Sequence, residues 1–129
     1  MTLRWQALCV DVEDPSEAAT FWAAALGWRR THDEPDEVVL EPPAGSPEDG
    51  VSPDLLFLRV PEAKTVKNRL HLDLAIAVRS DPVAARTADV EAEVARLTAC
   101  GATVIARVSD HDHYHITMGD PEGNEFDLR

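Results

Sequence analysis

Two segments of this chain, QALCVDV (6–12) and LHLDLAI (70–76), line up in pattern, and the same series of elements follows each. AALGW aligns with TACGA, setting Gly27 opposite Gly101, and DLLFLR aligns with NEFDLR, setting Phe57 opposite Asp127. The first pair of segments sets Ala7 opposite His71. A pattern that recurs once along a chain marks a supersecondary unit used twice. The unit reads strand, helix, three strands. The sequence therefore predicts an α+β chain of two βαβββ modules, about 1–61 and about 68–129, within a single domain spanning 1–129.

Local chemistry supports each element. RWQALCVDV (4–12) reads as a strand. Asp14 then caps a helix, with Pro15 in its first turn and Glu17 at the spacing of a capping box. Ala18, Phe21, Trp22 and Ala25 form its apolar stripe and Gly27 its stop. Short strands follow at about 28–32 and 36–41, then the proline-rich loop PPAGSPEDGVSP and a strand at 54–60. The second half reads as a strand at 69–77, a helix at about 88–100 striped by Val90, Val94 and Leu97, and strands at about 102–108, 111–118 and 124–129. DPEGN forms a tight turn before the last strand.

The net charge of −12 argues against nucleic acid or an anionic membrane as a partner, since both select positive surfaces. No apolar run approaches the roughly 18 residues of a membrane span, and the N-terminal segment lacks the pattern of a cleaved signal, so a cytoplasmic protein is expected. Cys9 and Cys100 are read as free, buried thiols.

In NRLHLDLAI (68–76), Leu70, Leu72, Leu74 and Ile76 share one parity, and Arg69, His71 and Asp73 the other. The segments KTVKNRLHLDL and DPEGNEFDL, with DPSEAATFWAAALGW and EAEVARLTACGA, resemble the glyoxalase/bleomycin-resistance/dioxygenase superfamily (vicinal oxygen chelate fold). The similarity is strongest to its small bacterial glyoxalase-like domain proteins. That resemblance implies two modules whose curved mixed sheets surround a shared cavity, and it implies homodimers. Its metal-dependent members take four ligands from positions that fall here on Ala7, Phe57, His71 and Asp127. Ala and Phe offer no lone pair, so glyoxalase I activity is expected to be absent.

By parity, the expected cavity wall is Trp5, Ala7, Cys9, Leu55, Phe57, Arg69, His71, Asp73, Glu125 and Asp127. His71 and Asp127 are the candidate catalytic pair, because a carboxylate fixes the tautomer of an imidazole and raises its basicity. HDHYHITM sets His111, His113 and His115 on one face of a strand, with His113 and His115 as further candidate ligand contacts. No cofactor is expected; the alternative is a divalent metal held by His71 and Asp127 with His113 or His115. The resulting reading is a small-molecule-binding protein of the drug- or metabolite-resistance type with a degenerate, metal-free cavity. The alternative is a lyase or isomerase using His71 and Asp127, with or without metal.

Overall fold

The computed structural model describes residues 1–76, 83–109 and 114–129. The chain divides into two units, Met1–Lys64 and Thr65–Arg129. Among the described residues each unit runs strand, helix, three strands, and each forms a four-stranded sheet. No helix among them is long and apolar enough to cross a membrane.

In the first unit, β1 (Ala7–Val12) leads to α1 (Pro15–Leu26), then β2 (Arg29–Glu34), β3 (Glu37–Glu41) and β4 (Asp54–Arg59), in the sheet order β1-β4-β3-β2. Asp14 caps α1, its carboxylate accepting from the Glu17 N–H at 3.1 Å. Gly27 ends the helix at φ 69°, where a side chain would be strained. Buried Ala18, Phe21 and Trp22 on α1 meet the sheet, with the rings of Phe21 and Trp22 edge-on at 5.3 Å. β1 pairs parallel with β4 over its full length, and β3 antiparallel with β4.

The second unit repeats the plan with β5 (Asp73–Leu74), α2 (Val83–Ala99), β6 (Thr103–Ser109), β7 (Tyr114–Gly119) and β8 (Glu125–Leu128), in the order β5-β8-β7-β6. Val90, Val94 and Leu97 of α2, Ile116 and Met118 of β7, and Phe126 and Leu128 of β8 are its buried apolar residues. Glu91 on α2 ties the helix to the sheet: Arg107 donates to it at 2.9 and 3.1 Å, and the Tyr114 hydroxyl also donates to it. Asp120, only 3% exposed, closes the β7–β8 turn by accepting from the N–H groups of Glu122 and Asn124.

The structure corrects the expected strand at 69–77. Regular pairing is confined to Asp73–Leu74, although Leu72 O also bonds to the Asp127 backbone, and Leu74 O and Ile76 N to that of Arg129. Leu70 lies ahead of this ladder and is 78% exposed, so the alternation ceases to sort side chains there. The helix expected from about 88 begins at Val83. Cys9 and Cys100 are free but exposed rather than buried.

Candidate functional site

In each sheet one face carries the buried apolar residues and meets the helix, so the candidate side chains are those of the opposite, open face. Strand register decides which these are, because laterally paired residues project to the same side. In the second unit, Asp127 of β8 lies between Asp73 of β5 and Thr117 of β7. Their neighbours Leu74, Leu128 and Ile116 take the helix side. Asp127, Thr117 and Asp73 therefore share the open face, together with Glu125, which pairs with Gly119.

Asp127 organises this face. Thr117 Oγ1 donates to its Oδ1 at 2.7 Å, and His71 Nε2 stands 3.3 Å from its Oδ2. The Asp127 side chain is 21% exposed and that of His71 46%, so the carboxylate is largely covered while the imidazole remains reachable. His71 precedes the short β5 and is held in place from both sides. Asp127 N donates to Leu72 O at 2.9 Å, and Asn68 N donates to Glu125 Oε2 at 3.0 Å. The Asn68 side chain adds a bond to the Glu125 carbonyl at 3.2 Å. Glu125 and Asp73, expected as ligand contacts, thus have protein partners, the latter in an ion pair with Arg129. Arg69 is exposed and has no hydrogen-bond or ion-pair partner among the described residues.

Farther across the same sheet the face becomes apolar. Ala106 pairs with Thr117, and Val108 with His115. Ile105 and Val108 are 54% and 38% exposed. Gly119 keeps this side open: a Cβ there would lie 3.0 Å from Thr103 Oγ1 and 3.5 Å from Ile105 Cδ1.

The first unit corrects part of the expected wall. Ala7 and Cys9 pair with Asp54 and Leu56, whereas Leu55 and Phe57 pair with Leu8 and Val10. Leu55 and Phe57 are buried, and they pair in turn with buried Leu40 and Val38 on the helix side of the sheet. They cannot share a face with Ala7. The alignment of DLLFLR with NEFDLR is one residue out of step in side-chain direction, and a single step reverses every side chain. Phe57 is core. Trp5 also departs from expectation: the strand starts only at Ala7, and Trp5 is 67% exposed, its Nε1 donating to Ala7 O at 3.0 Å.

Of the expected metal donors, His71 and Asp127 are brought together. His115 is half-buried in β7, and His111 and His113 lie outside the described residues. No group of three or more His, Cys, Asp or Glu able to hold a metal ion occurs among the described residues. The donor set they supply does not complete a metal site. Sequence reasoning missed Thr117, which looks like an ordinary strand former. Counting back from the DPEGN turn would have found it, since that hairpin sets Gly119 against Glu125 and so Thr117 against Asp127.

The chain matches the glyoxalase-like domain family over residues 7–129, and it belongs to that family. No curated protein matches it. Among solved structures it is similar to a glyoxalase/bleomycin resistance protein/dioxygenase family enzyme from Burkholderia phytofirmans PsJN. That match has a TM-score of 0.71 and 18% identity, covering 98% of this chain and 97% of the other. It is also similar to a mutant of the fosfomycin resistance protein FosX from Listeria monocytogenes, complexed with manganese(II) and 1S,2S-dihydroxypropylphosphonic acid. There the TM-score is 0.72 at 13% identity, covering 100% and 90% of the two chains. A possible glyoxalase from Bacillus cereus aligns with a TM-score of 0.68 and 16% identity, covering 98% of each chain. At these identities the likeness establishes the fold.

Proposed function

We propose that this protein is a cytoplasmic, metal-free binder of a small organic molecule, of the drug- or metabolite-resistance type, and that the open face of the second sheet receives the ligand. The observation that carries the reading is the division of that face. His71, Asp127 and Thr117 form a hydrogen-bonding end, while Ile105, Ala106 and Val108 present uncovered apolar surface beside it. Binding sites for organic molecules combine these two ingredients, a few placed polar groups and an apolar wall. Arg69, exposed and without a partner among the described residues, is available to a ligand's anionic group. Exposed apolar side chains on β6, the outer strand of its sheet, support a homodimer as the working state.

The test is a thermal-shift screen of aromatic acids, quinones and antibiotics on the full chain, repeated on His71→Ala and Val108→Asp. Hits should weaken in both variants; hits that bind both variants as tightly as the parent would place the site elsewhere. Light scattering at micromolar concentration checks the dimer, against a monomer of 14.2 kDa.

A second reading, a metal-free lyase or isomerase, is favoured by one contact: a carboxylate backing an imidazole is an arrangement for moving protons. Turnover of a screening hit that disappears in Asp127→Asn while binding persists would favour it.

A further inference from the structure

The contacts of Asp127 also constrain the ligand's chemistry. One carboxylate oxygen accepts from Thr117 at 2.7 Å, which fixes the plane of the group, and the other faces His71 Nε2 at 3.3 Å. Two lone pairs do not face each other at that distance, so the hydrogen of a neutral His71 sits on Nε2 and its Nδ1 is an acceptor. The imidazole is nearly half exposed, so the ring is open to a ligand. What binds there donates a hydrogen.

Strand geometry supplies the second constraint. Asp127 and Thr117 face each other across β8 and β7, and Thr117 faces Ala106 across β7 and β6. Two strand spacings separate Asp127 from Ala106, about 10 Å at roughly 4.8 Å per strand, and His71, just ahead of β5, stands on the other side of Asp127. Thr103 and Ile105 lie over the bare backbone of Gly119 and continue the apolar half along β6.

We infer that the ligand is an amphiphilic O–H acid, a phenol or related hydroxyarene. Its hydroxyl donates to His71 Nδ1, and its apolar body reaches across β8 and β7 toward Ala106 and Val108, a span of at least about 10 Å. Thr117 is a positioning residue that acts through Asp127. The inference rests on the reading of this face as the binding site and adds the donor head and the length. If the proton transfers, it leaves the ligand oxygen for Nδ1 and the O–H bonding pair stays on that oxygen. The imidazolium then carries its Nε2–H toward ionised Asp127.

The probes are 2-naphthol, its methyl ether 2-methoxynaphthalene, and phenol, titrated by fluorescence or calorimetry into the full-length protein. The naphthol should bind at least tenfold tighter than the ether, which lacks the donor, and at least tenfold tighter than phenol, which lacks the length. His71→Ala should abolish the preference for naphthol over ether while retaining ether binding. Val108→Asp should abolish the preference for naphthol over phenol. Thr117→Val should reduce the donor preference, and Thr117→Ser should restore it, a rescue that loss of packing alone would not show. Equal binding of naphthol and ether by the parent overturns the inference and leaves the site reading standing. Binding unaffected by either His71→Ala or Val108→Asp, or no binding by any probe, overturns both.

Discussion

The two units share one plan and differ in what their open faces carry. In the first, β1 pairs with β4 over six positions, and its open face bears Ala7 and Cys9 beside Asp54 and Leu56. In the second, β5 keeps two regular pairs, and the open face bears His71, Asp73, Thr117, Glu125 and Asp127. The closely paired first unit also sets Asp11, Glu41, Arg29 and His32 on that face, whereas the second unit, with its abbreviated first strand, sets an imidazole against a carboxylate there. The contrast has a physical basis. A residue locked in a long ladder is placed by its backbone, whereas His71, ahead of the ladder, depends on Asp127 and on the Asn68–Glu125 bonds.

The strongest way to break this comparison is in the cores. Phe57 is fully buried in the first unit and Phe126 is 1% exposed in the second, so they should be equivalent as packing residues. Truncation of either to Ala should cost about 3–5 kcal/mol by urea denaturation. A Phe57→Ala cost below about 1 kcal/mol would return Phe57 to the open face and erase the contrast between the units.

A smaller effect concerns the start of α1. Removing its cap with Asp14→Ala should cost about 0.5–2 kcal/mol. Protection against amide exchange should fall first in α1, leaving α2 unchanged. Equal loss in both helices would show that the units are not separately stabilised.

The units should also respond to acid with opposite sign. Hydrogen bonds from Arg107, then from Tyr114, hold the Glu91 carboxyl below the usual carboxylate range. A lowered folded value gives stability that is present above the unfolded pKa and lost as pH falls through the folded one. Burial first, and the charge of Glu41 second, push the Asp54 carboxyl up. A raised folded value disfavours the ionised form, so the penalty present near neutral pH is relieved as pH falls through it. Acid should therefore loosen the α2–β6–β7 contact and tighten β1 against β4, read as amide protection at neutral pH and at pH below the usual carboxylate range. Glu91→Gln should flatten the first response and Asp54→Asn the second. Both units shifting in the same direction would contradict the assignment. Tyr114→Phe, which removes one bond to Glu91, should cost about 0.5–1.5 kcal/mol.

The smallest expected change is at Val108. Val108→Ser should alter stability by no more than about 0.5 kcal/mol, as a partly exposed site on an outer strand. Calorimetry would show whether the apolar half of the second face is needed for stability; a larger cost would make it core.

Much of this frame was legible in the sequence, because caps, breakers and apolar periods act locally. Asp14, Pro15 and Gly27 bound α1 within a residue of expectation, and the Ala18–Phe21–Trp22 stripe is buried. The repeat also set the order of elements in both units. The open faces were harder to read. DLLFLR is apolar at almost every position, so nothing within it tells one face from the other, and Phe57 was placed on the wrong one. Strict alternation in NRLHLDLAI promised a long strand, yet pairing depends on a partner, and β8 offers only Glu125–Leu128. His71 and Asp127 were recoverable because they stand near the aligned ends of their strands.

β2 slips register between Arg30 and His32, and β6 slips between Val104 and Ala106, so the third residue of each strand is supernumerary. In β2 the flanking charges of Arg29, Arg30, Asp33 and Glu34 already deter a stray strand from adding on. β6 carries a single charge, that of Arg107, already paired with Glu91, and exposes Val104, Ile105 and Val108. There the kink itself is the safeguard: it interrupts the row of free N–H and C=O groups and steepens the twist, so a flat chain cannot zip along the strand. Ile105, dispensable for the ladder, protects the molecule against fibrous self-assembly.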